Sequence, residues 1–185
     1  VINALTDLEH PCQALADYLT IKEEFNDFKN LVLTFVGDGN NVANSIILCG
    51  ALLGVEVRIA CPSGYEPNPL VVKKAKEIYK DDNFLKVTND PVKAAIGANI
   101  LYTDVWSSMG EESQKEEKDK VFEGFSINNN LVRKADKDAI VLHCLPAYRG
   151  KEISDEVFEC KQSRIFEQAE NRMHAQQALL YSFLS

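Results

Sequence analysis

Residues 31–41 read LVLTFVGDGNN: an almost wholly apolar run, Leu31–Val36, ended by Gly37-Asp38-Gly39. A short unbroken apolar run stopped by glycine reads as a strand buried on both faces, and that requires helices on both sides of a sheet. The chain around it keeps this rhythm. Asn44–Leu53 reads as a helix with an almost wholly apolar surface, closed by Gly54, and Val55–Cys61 as a second strand stopped by Pro62. Asn68-Pro69 opens a helix with proline in its first turn, running to about Lys80 on Leu70, Val71, Ala75, Ile78 and Tyr79. Phe84–Val87 is a third strand, Asn89-Asp90-Pro91 caps a short helix to Ala95, and Ile100–Thr103 and Ile140–His143 are the fourth and fifth strands. Continuous strands alternating with helices predict a doubly wound, three-layer α/β fold around a five-stranded parallel sheet.

The two ends read differently. His10–Phe25 is helical before the first strand, and Glu170–Leu184 is helical after the last, with a strongly apolar far half (Ala178, Leu179, Leu180, Phe183, Leu184). A five-strand core does not obviously need both, and terminal helices with apolar faces often dock on another domain or subunit. Glu111–Asp119 is the most polar stretch and reads as a solvated loop leading into a helix. The first residue is Val1, so the chain is read as either processed or a fragment.

Composition narrows the class. The chain has 185 residues, 45% hydrophobic and 26% charged, which fits one globular domain and argues against wholesale disorder. Its net charge of −8, with no basic stripe, makes nucleic acid or an anionic membrane a poor partner. No apolar run approaches the roughly 20 residues of a membrane span, and no secretory signal is visible. Cys12, Cys49, Cys61, Cys144 and Cys160 form no C-x-x-C pair, so neither a zinc site nor a disulfide framework is expected. Reduced thiols in a cytoplasmic protein are the default.

Ligands of a doubly wound sheet bind beyond the C-terminal ends of its strands. Three loops lie there: Gly37–Asn41, Asp104–Gly110 and Cys144–Gly150. The first tempts a dinucleotide reading, since Gly37 and Gly39 match the start of G-x-G-x-x-G. The third position is Val42, however, and the second strand ends in Ala60-Cys61-Pro62 with no acid for a ribose, so the glycines favour a tight strand–helix turn. At this level Asp104 is equally well a turn cap. Cys144 reads equally as a buried apolar cysteine, His143 as a satisfied core histidine, and His10 as the residue before a helix start.

Four strings carry a resemblance. His10-Pro11-Cys12-Gln13 resembles the H-P-x-Q signature of the transcarbamylases. Asp104-x-x-x-Ser108-Met109-Gly110 resembles the S-M-G loop of ornithine carbamoyltransferases. His143-Cys144-Leu145-Pro146 is similar to their H-C-L-P, and Glu170-Asn171-Arg172 to the E-N-R near their C-terminus. They occur in family order over nearly the whole chain. Aspartate carbamoyltransferases share H-P-x-Q but carry an arginine-rich acceptor loop and H-P-L-P, so S-M-G and the cysteine point to a basic diamino acid acceptor.

The resemblance implies transfer of a carbamoyl group from carbamoyl phosphate to the side-chain amine of ornithine, giving citrulline and phosphate, as in arginine biosynthesis, with no metal or organic cofactor. It implies that His10 hydrogen-bonds the carbamoyl oxygen. Gln13 and the Leu145 carbonyl hold the carbamoyl amide, and Arg172 adds positive charge. Asn41 meets the α-carboxylate region of ornithine and Asp104 its α-ammonium, while Ser108 and Met109 close over it. Cys144 is implied both among the carbamoyl phosphate-binding residues and near the reacting amine, as a positioning and proton-handling group. His143, Tyr148 and Arg149 are support residues, and His174 is structural. The family's Ser-Thr-Arg-Thr phosphate loop has no counterpart here. The expected division is therefore an interdomain helix at residues 1–25, an ornithine-binding α/β domain at 26–165, and a C-terminal helix at 166–185 bridging to a carbamoyl phosphate domain. Full-length relatives are expected as homotrimers. The alternatives are another amine acceptor, such as putrescine or N-acetylornithine, or a nucleotide-binding module without activity.

Overall fold

The computed structural model describes residues 1–107 and 115–185. Its strands are β1 (Val32–Val36), β2 (Glu56–Ala60), β3 (Leu85–Thr88), β4 (Ile100–Thr103) and β5 (Ile140–His143). All pair in parallel, in the spatial order β3-β2-β1-β4-β5. The doubly wound expectation holds. The order reverses direction between β1 and β4, so a crevice opens where their C-terminal ends diverge.

Helices α1 (Pro11–Phe25), α2 (Asn41–Leu53), α3 (Pro69–Tyr79) and α4 (Pro91–Ala95) lie close to expectation. Helix α2 starts three residues early because Asn40 caps it, its side chain accepting from Val42 N and Ala43 N. A carboxamide accepting from the first free amides is the commonest way to begin a helix. Gly54, with φ of 81°, ends α2 in the left-handed turn that glycine adopts without strain. Helix α5 (Lys115–Val121) is the helix into which the polar stretch is expected to lead, and two short helices escape the periodicity reading: α6 (Asn129–Val132) and α7 (Asp155–Phe158). Four residues are too few to show a 3.6-residue period. The last helix, α8 (Ile165–Leu184), begins five residues ahead of the expected Glu170.

Alternation along each strand sends side chains to two separate cores. Leu33 and Phe35 of β1, Val57 and Ile59 of β2, and Tyr102 of β4 pack against α1, α2 and α3. Val36, Leu101 and Val141 face α4, α6 and α7. Phe35 stacks on Tyr102 with ring centroids 5.5 Å apart, a contact that contributes about 1 kcal/mol beyond area burial. Helix α1 is part of the first core and not an accessory, since Ala14, Ala16, Tyr18 and Ile21 are all buried. Helix α8 lies along it. Asn171 Nδ2 donates to Thr20 Oγ1 at 3.0 Å and to Glu23 Oε2 at 2.7 Å. The outer face of α8 stays exposed at Met173, Leu180, Tyr181 and Phe183.

Candidate active site

A cleft of about 790 Å³ opens at the switch point. The loops after β1, β4 and β5 form its floor, and the segment before α1 forms one wall. Its lining brings together His10, Asn41, Asp104, Cys144 and Leu145, five residues singled out in the sequence. Gln13 and Arg172 do not line it. Gln13 is buried, with Nε2 donating to Asp17 Oδ1 at 2.7 Å and Oε1 accepting from Arg172 Nη1. Ser108 and Met109 lie outside the described residues.

Asp104 is the centre of the arrangement. It is buried at the end of β4, and its carboxylate accepts three hydrogen bonds: from Val105 N and Cys144 Sγ at Oδ1 (2.8 and 2.9 Å), and from Asn40 Nδ2 at Oδ2 (2.8 Å). Asn40, and not the Asn41 that the resemblance implies for ornithine, makes this contact. Asn41 stands in the cleft wall, its Nδ2 donating to Thr6 O at 2.8 Å. The cue available was position: Asn40 is where a helix cap belongs, and a cap at the end of β1 necessarily faces the end of β4.

Cys144 keeps its proton. Removal from water pushes the thiol pKa well up, and the Asp104 charge beside it adds to the effect. A thiol that donates to a carboxylate is a poor nucleophile but leaves sulfur lone pairs for an incoming N–H. His10 is set by two bonds. Its backbone N donates to Ser45 Oγ on α2 at 2.7 Å, and Nδ1 meets Ala4 O at 2.7 Å. A carbonyl only accepts, so Nδ1 carries the proton and Nε2 of the neutral ring is an acceptor. Burial, then the charge of Arg172, lowers the His10 pKa and favours that neutral form. Donation from Nε2 to a carbamoyl oxygen therefore requires the ring to gain a proton or to give up its bond to Ala4.

His143 is a satisfied core histidine. Nδ1 accepts from Leu145 N at 2.9 Å, and Nε2 faces Glu152 Oε1 at 3.2 Å. Asp104, His143 and Cys144 offer ligand atoms within 4.8 Å of one another, yet both ring nitrogens of His143 are already committed. Tyr148 lines the cleft rim, and Arg149 points away to Glu159 and over the Phe158 ring. His174 lies on α8 beside Glu170.

The cleft is acidic. Asp7, Asp38, Glu66 and Asp104 line it, and among the described residues no lysine or arginine does. Asp38 is partnered by Lys118 Nζ at 2.7 Å. Lys118 is buried and sits 5.7 Å from the centroid of the Tyr65 ring. This corrects the reading of Glu111–Asp119 as merely solvated: α5 inserts a lysine beneath the glycine turn. Gly39 has its own reason to be glycine. A Cβ there would lie 2.4 Å from Pro67 N and 2.6 Å from Tyr65 O. The close approach of the backbone of residues 65–67 accounts for this glycine without a dinucleotide.

Fold and site together define a doubly wound α/β domain with an acid-lined ligand cleft at its switch point, built around a hydrogen-bonded aspartate–cysteine pair. The chain belongs to the family described as aspartate/ornithine carbamoyltransferase, Asp/Orn binding domain, which matches residues 29–183. It is 78% identical over 184 residues to an ornithine carbamoyltransferase of Prochlorococcus marinus subsp. pastoris, covering 100% of this chain and 60% of that relative. It is 57% identical over 184 residues to one from a Nostoc species, with the same coverage of 100% and 60%. Among solved structures it is similar to the ornithine carbamoyltransferases of Gloeobacter violaceus and Pyrococcus furiosus. The first is 49% identical with TM-score 0.89, covering 97% of this chain and 60% of that one. The second is 47% identical with TM-score 0.90, covering 96% and 57%. The chain thus spans about 60% of the length of the curated relatives it matches.

Proposed function

We propose that the full-length protein transfers the carbamoyl group of carbamoyl phosphate to the side-chain amine of L-ornithine, releasing L-citrulline and phosphate, and that this chain supplies the ornithine-binding half. The carrying observation is Asp104 held between Asn40 and Cys144 in an acid-lined cleft. A carboxylate so held is oriented and ready for an ammonium, a charge-assisted contact. The family membership and the names of its relatives support the same reading.

In this reading Asp104 takes the α-ammonium of ornithine and Asn41 its α-carboxylate region, with Ser108 and Met109 closing over the ligand. Cys144 aligns the reacting amine at sulfur. A lysine-like amine has a pKa of about 10.4, so its neutral form costs about 4.6 kcal/mol at pH 7. Cys144, itself protonated, is no base for that step. It orients the amine once neutral, and the proton displaced when the C–N bond forms leaves with phosphate. His10, Gln13, the Leu145 carbonyl and Arg172 serve the carbamoyl side.

Among the described residues lining this cleft, no lysine or arginine offers a dianionic phosphate a partner. Its contacts come from the part of the relatives that this chain does not span. The exposed apolar face of α8 is the surface such a domain would cover, which supports assigning residues 166–185 as a bridging helix; residues 1–25 are assigned to the interdomain connection with it, although α1 also packs into the core of this domain. No described helix is long and apolar enough to cross a membrane, which fits a cytoplasmic enzyme. A homotrimer and a role in arginine biosynthesis complete the proposal.

The test supplies the full-length protein with carbamoyl phosphate and, in turn, ornithine, putrescine, N-acetylornithine or aspartate, and follows the ureido product by mass. Dominant citrulline supports the reading. Product from another amine moves the specificity, and no product from any acceptor overturns it.

A further inference from the structure

Glu152 is a charged residue type in a fully buried place. Its carboxyl group is fully buried between β5 and α7. Its neighbour Lys151 is turned to Asp119, 2.5 Å away. Oε1 accepts from Tyr148 N at 2.5 Å and faces His143 Nε2 at 3.2 Å. Because His143 Nδ1 accepts the Leu145 N–H, the ring proton sits on Nε2 and is donated to Glu152. One carboxylate oxygen therefore sets the tautomer of His143. The other ring nitrogen then holds the Leu145 amide, whose residue has a φ of 59°, a left-handed conformation that is strained for a leucine. Leu145 and Cys144 are walls of the cleft.

The second oxygen, Oε2, is buried without a hydrogen-bond partner among the described residues, as are Trp106 Nε1 and Ser107 Oγ. All three residues line one cavity of about 10 Å³, on the order of the space one water needs. A water accepting from the indole N–H and the serine hydroxyl and donating to Oε2 makes three hydrogen bonds, the usual number for a buried water. Trp106 and Ser107 directly precede Ser108-Met109-Gly110.

We propose that Glu152 is a positioning residue that ties the two substrate-facing loops together, holding Cys144–Leu145 through His143 on one oxygen and Trp106–Ser107 through one buried water on the other. The proposal rests on the transfer reaction for its kinetic consequence but not for its geometry.

The test uses the full-length protein with Glu152→Ala, Glu152→Gln and Trp106→Phe. In Glu152→Ala, kcat for citrulline formation falls on the order of 10–100-fold, the scale of a displaced positioning shell. The ¹⁵N spectrum of histidine-labelled protein shows His143 changing from an Nε2 proton to a tautomer mixture. In Glu152→Gln the amide oxygen must face His143 and Tyr148, so the wild-type tautomer is rescued. The acceptor for water is lost, and kcat falls by a smaller factor. Trp106→Phe keeps an aromatic side chain but removes the indole N–H together with part of the ring volume, and it lowers kcat without moving the tautomer. If Glu152→Ala does not fold, the other two variants carry the test. Unchanged kcat in both Glu152→Gln and Trp106→Phe overturns the water-mediated arm, and an unchanged His143 tautomer in folded Glu152→Ala overturns the other. The spectra need no substrate. No citrulline from the wild-type protein, with the tautomer change still seen in Glu152→Ala, supports the positioning and overturns only the proposed reaction.

Discussion

Asn40 and Asp104 stand 64 residues apart in the chain and 2.8 Å apart in space, joined by one side-chain hydrogen bond. The same Asn40 carboxamide spends its oxygen on the first amides of α2. Its nitrogen therefore has to face Asp104, and the amide orientation follows from the chemistry of both partners. Helix initiation and carboxylate orientation are one device.

Those two jobs separate by mutation. Asn40→Asp keeps the cap, because aspartate is as good an N-cap as asparagine, but it places a second carboxylate against Asp104. Melting temperature is expected to stay near wild type while the ornithine KM of the full-length enzyme rises about tenfold or more, on the scale of a lost charged hydrogen bond. Asn40→Ala should lower both stability and ornithine affinity. Thermal melts and steady-state kinetics on the pair check this.

Asp104 and Cys144 are read together by alkylation. The Cys144 thiol pKa is held up first by burial and then by the Asp104 charge, so iodoacetamide should modify it slowly at pH 7. Asp104→Asn removes the charge and not the burial, so labelling should speed up but stay slower than for an exposed cysteine. Asp104→Ala should also raise the ornithine requirement greatly. Peptide mass spectrometry over time reads the first effect, and initial rates read the second.

Asp17 makes stability depend on pH. Burial pushes its carboxyl pKa up to about 7, against hydrogen bonds from Gln13, Gln168 and Tyr102 that pull it down. In an unfolded chain the same group titrates near 3.9. Between those values the folded chain keeps a proton that the unfolded chain has lost, so stability falls as pH rises from about 4 to about 7 and levels off above. The contribution of this group to that fall is on the order of 4 kcal/mol. Asp17→Asn imitates the protonated acid, its Nδ2 facing the Tyr102 hydroxyl. It should flatten that part of the pH profile in urea melts between pH 5 and pH 8.

Gly39→Ala tests the glycine turn. Its Cβ would press on the backbone of residues 65–67 and not on a yielding side chain. A loss on the order of 3 kcal/mol is expected, the upper scale for overpacking, together with a distorted cleft. Gly54→Ala serves as the comparison: nothing lies within 4 Å of its Cβ, so its cost comes from the left-handed φ alone. Urea unfolding of both variants checks the order.

Much of this protein is legible without coordinates. Strands β4 and β5 fall on the expected residues, because a buried parallel strand is a continuous apolar word that glycine, proline or a polar loop ends. The order of strands and helices brings the three loops to one edge, so His10, Asp104 and Cys144 could be singled out by position and motif. What escaped was short or non-local. Helices α6 and α7 are four residues each, below one readable period. Asn171, Gln168 and Asp17 look like surface residues until α1 and α8 lie side by side and bury them. Lys118 looks solvated until α5 delivers it to Asp38.

The sequence by itself determined the doubly wound fold, the edge at which ligands meet it, and the family, because hydrophobic rhythm and short motifs are local and survive without coordinates. Only the tertiary structure decided that Asn40 orients Asp104, that the Cys144 thiol keeps its proton, that His10 offers an acceptor at Nε2, and that Glu152 lies behind His143. Each of these depends on which donor meets which acceptor, whether 6 residues apart, as for His10 and Ala4, or 64, as for Asn40 and Asp104. Such pairings are settled by packing and the burial it imposes, and residue type alone does not encode them.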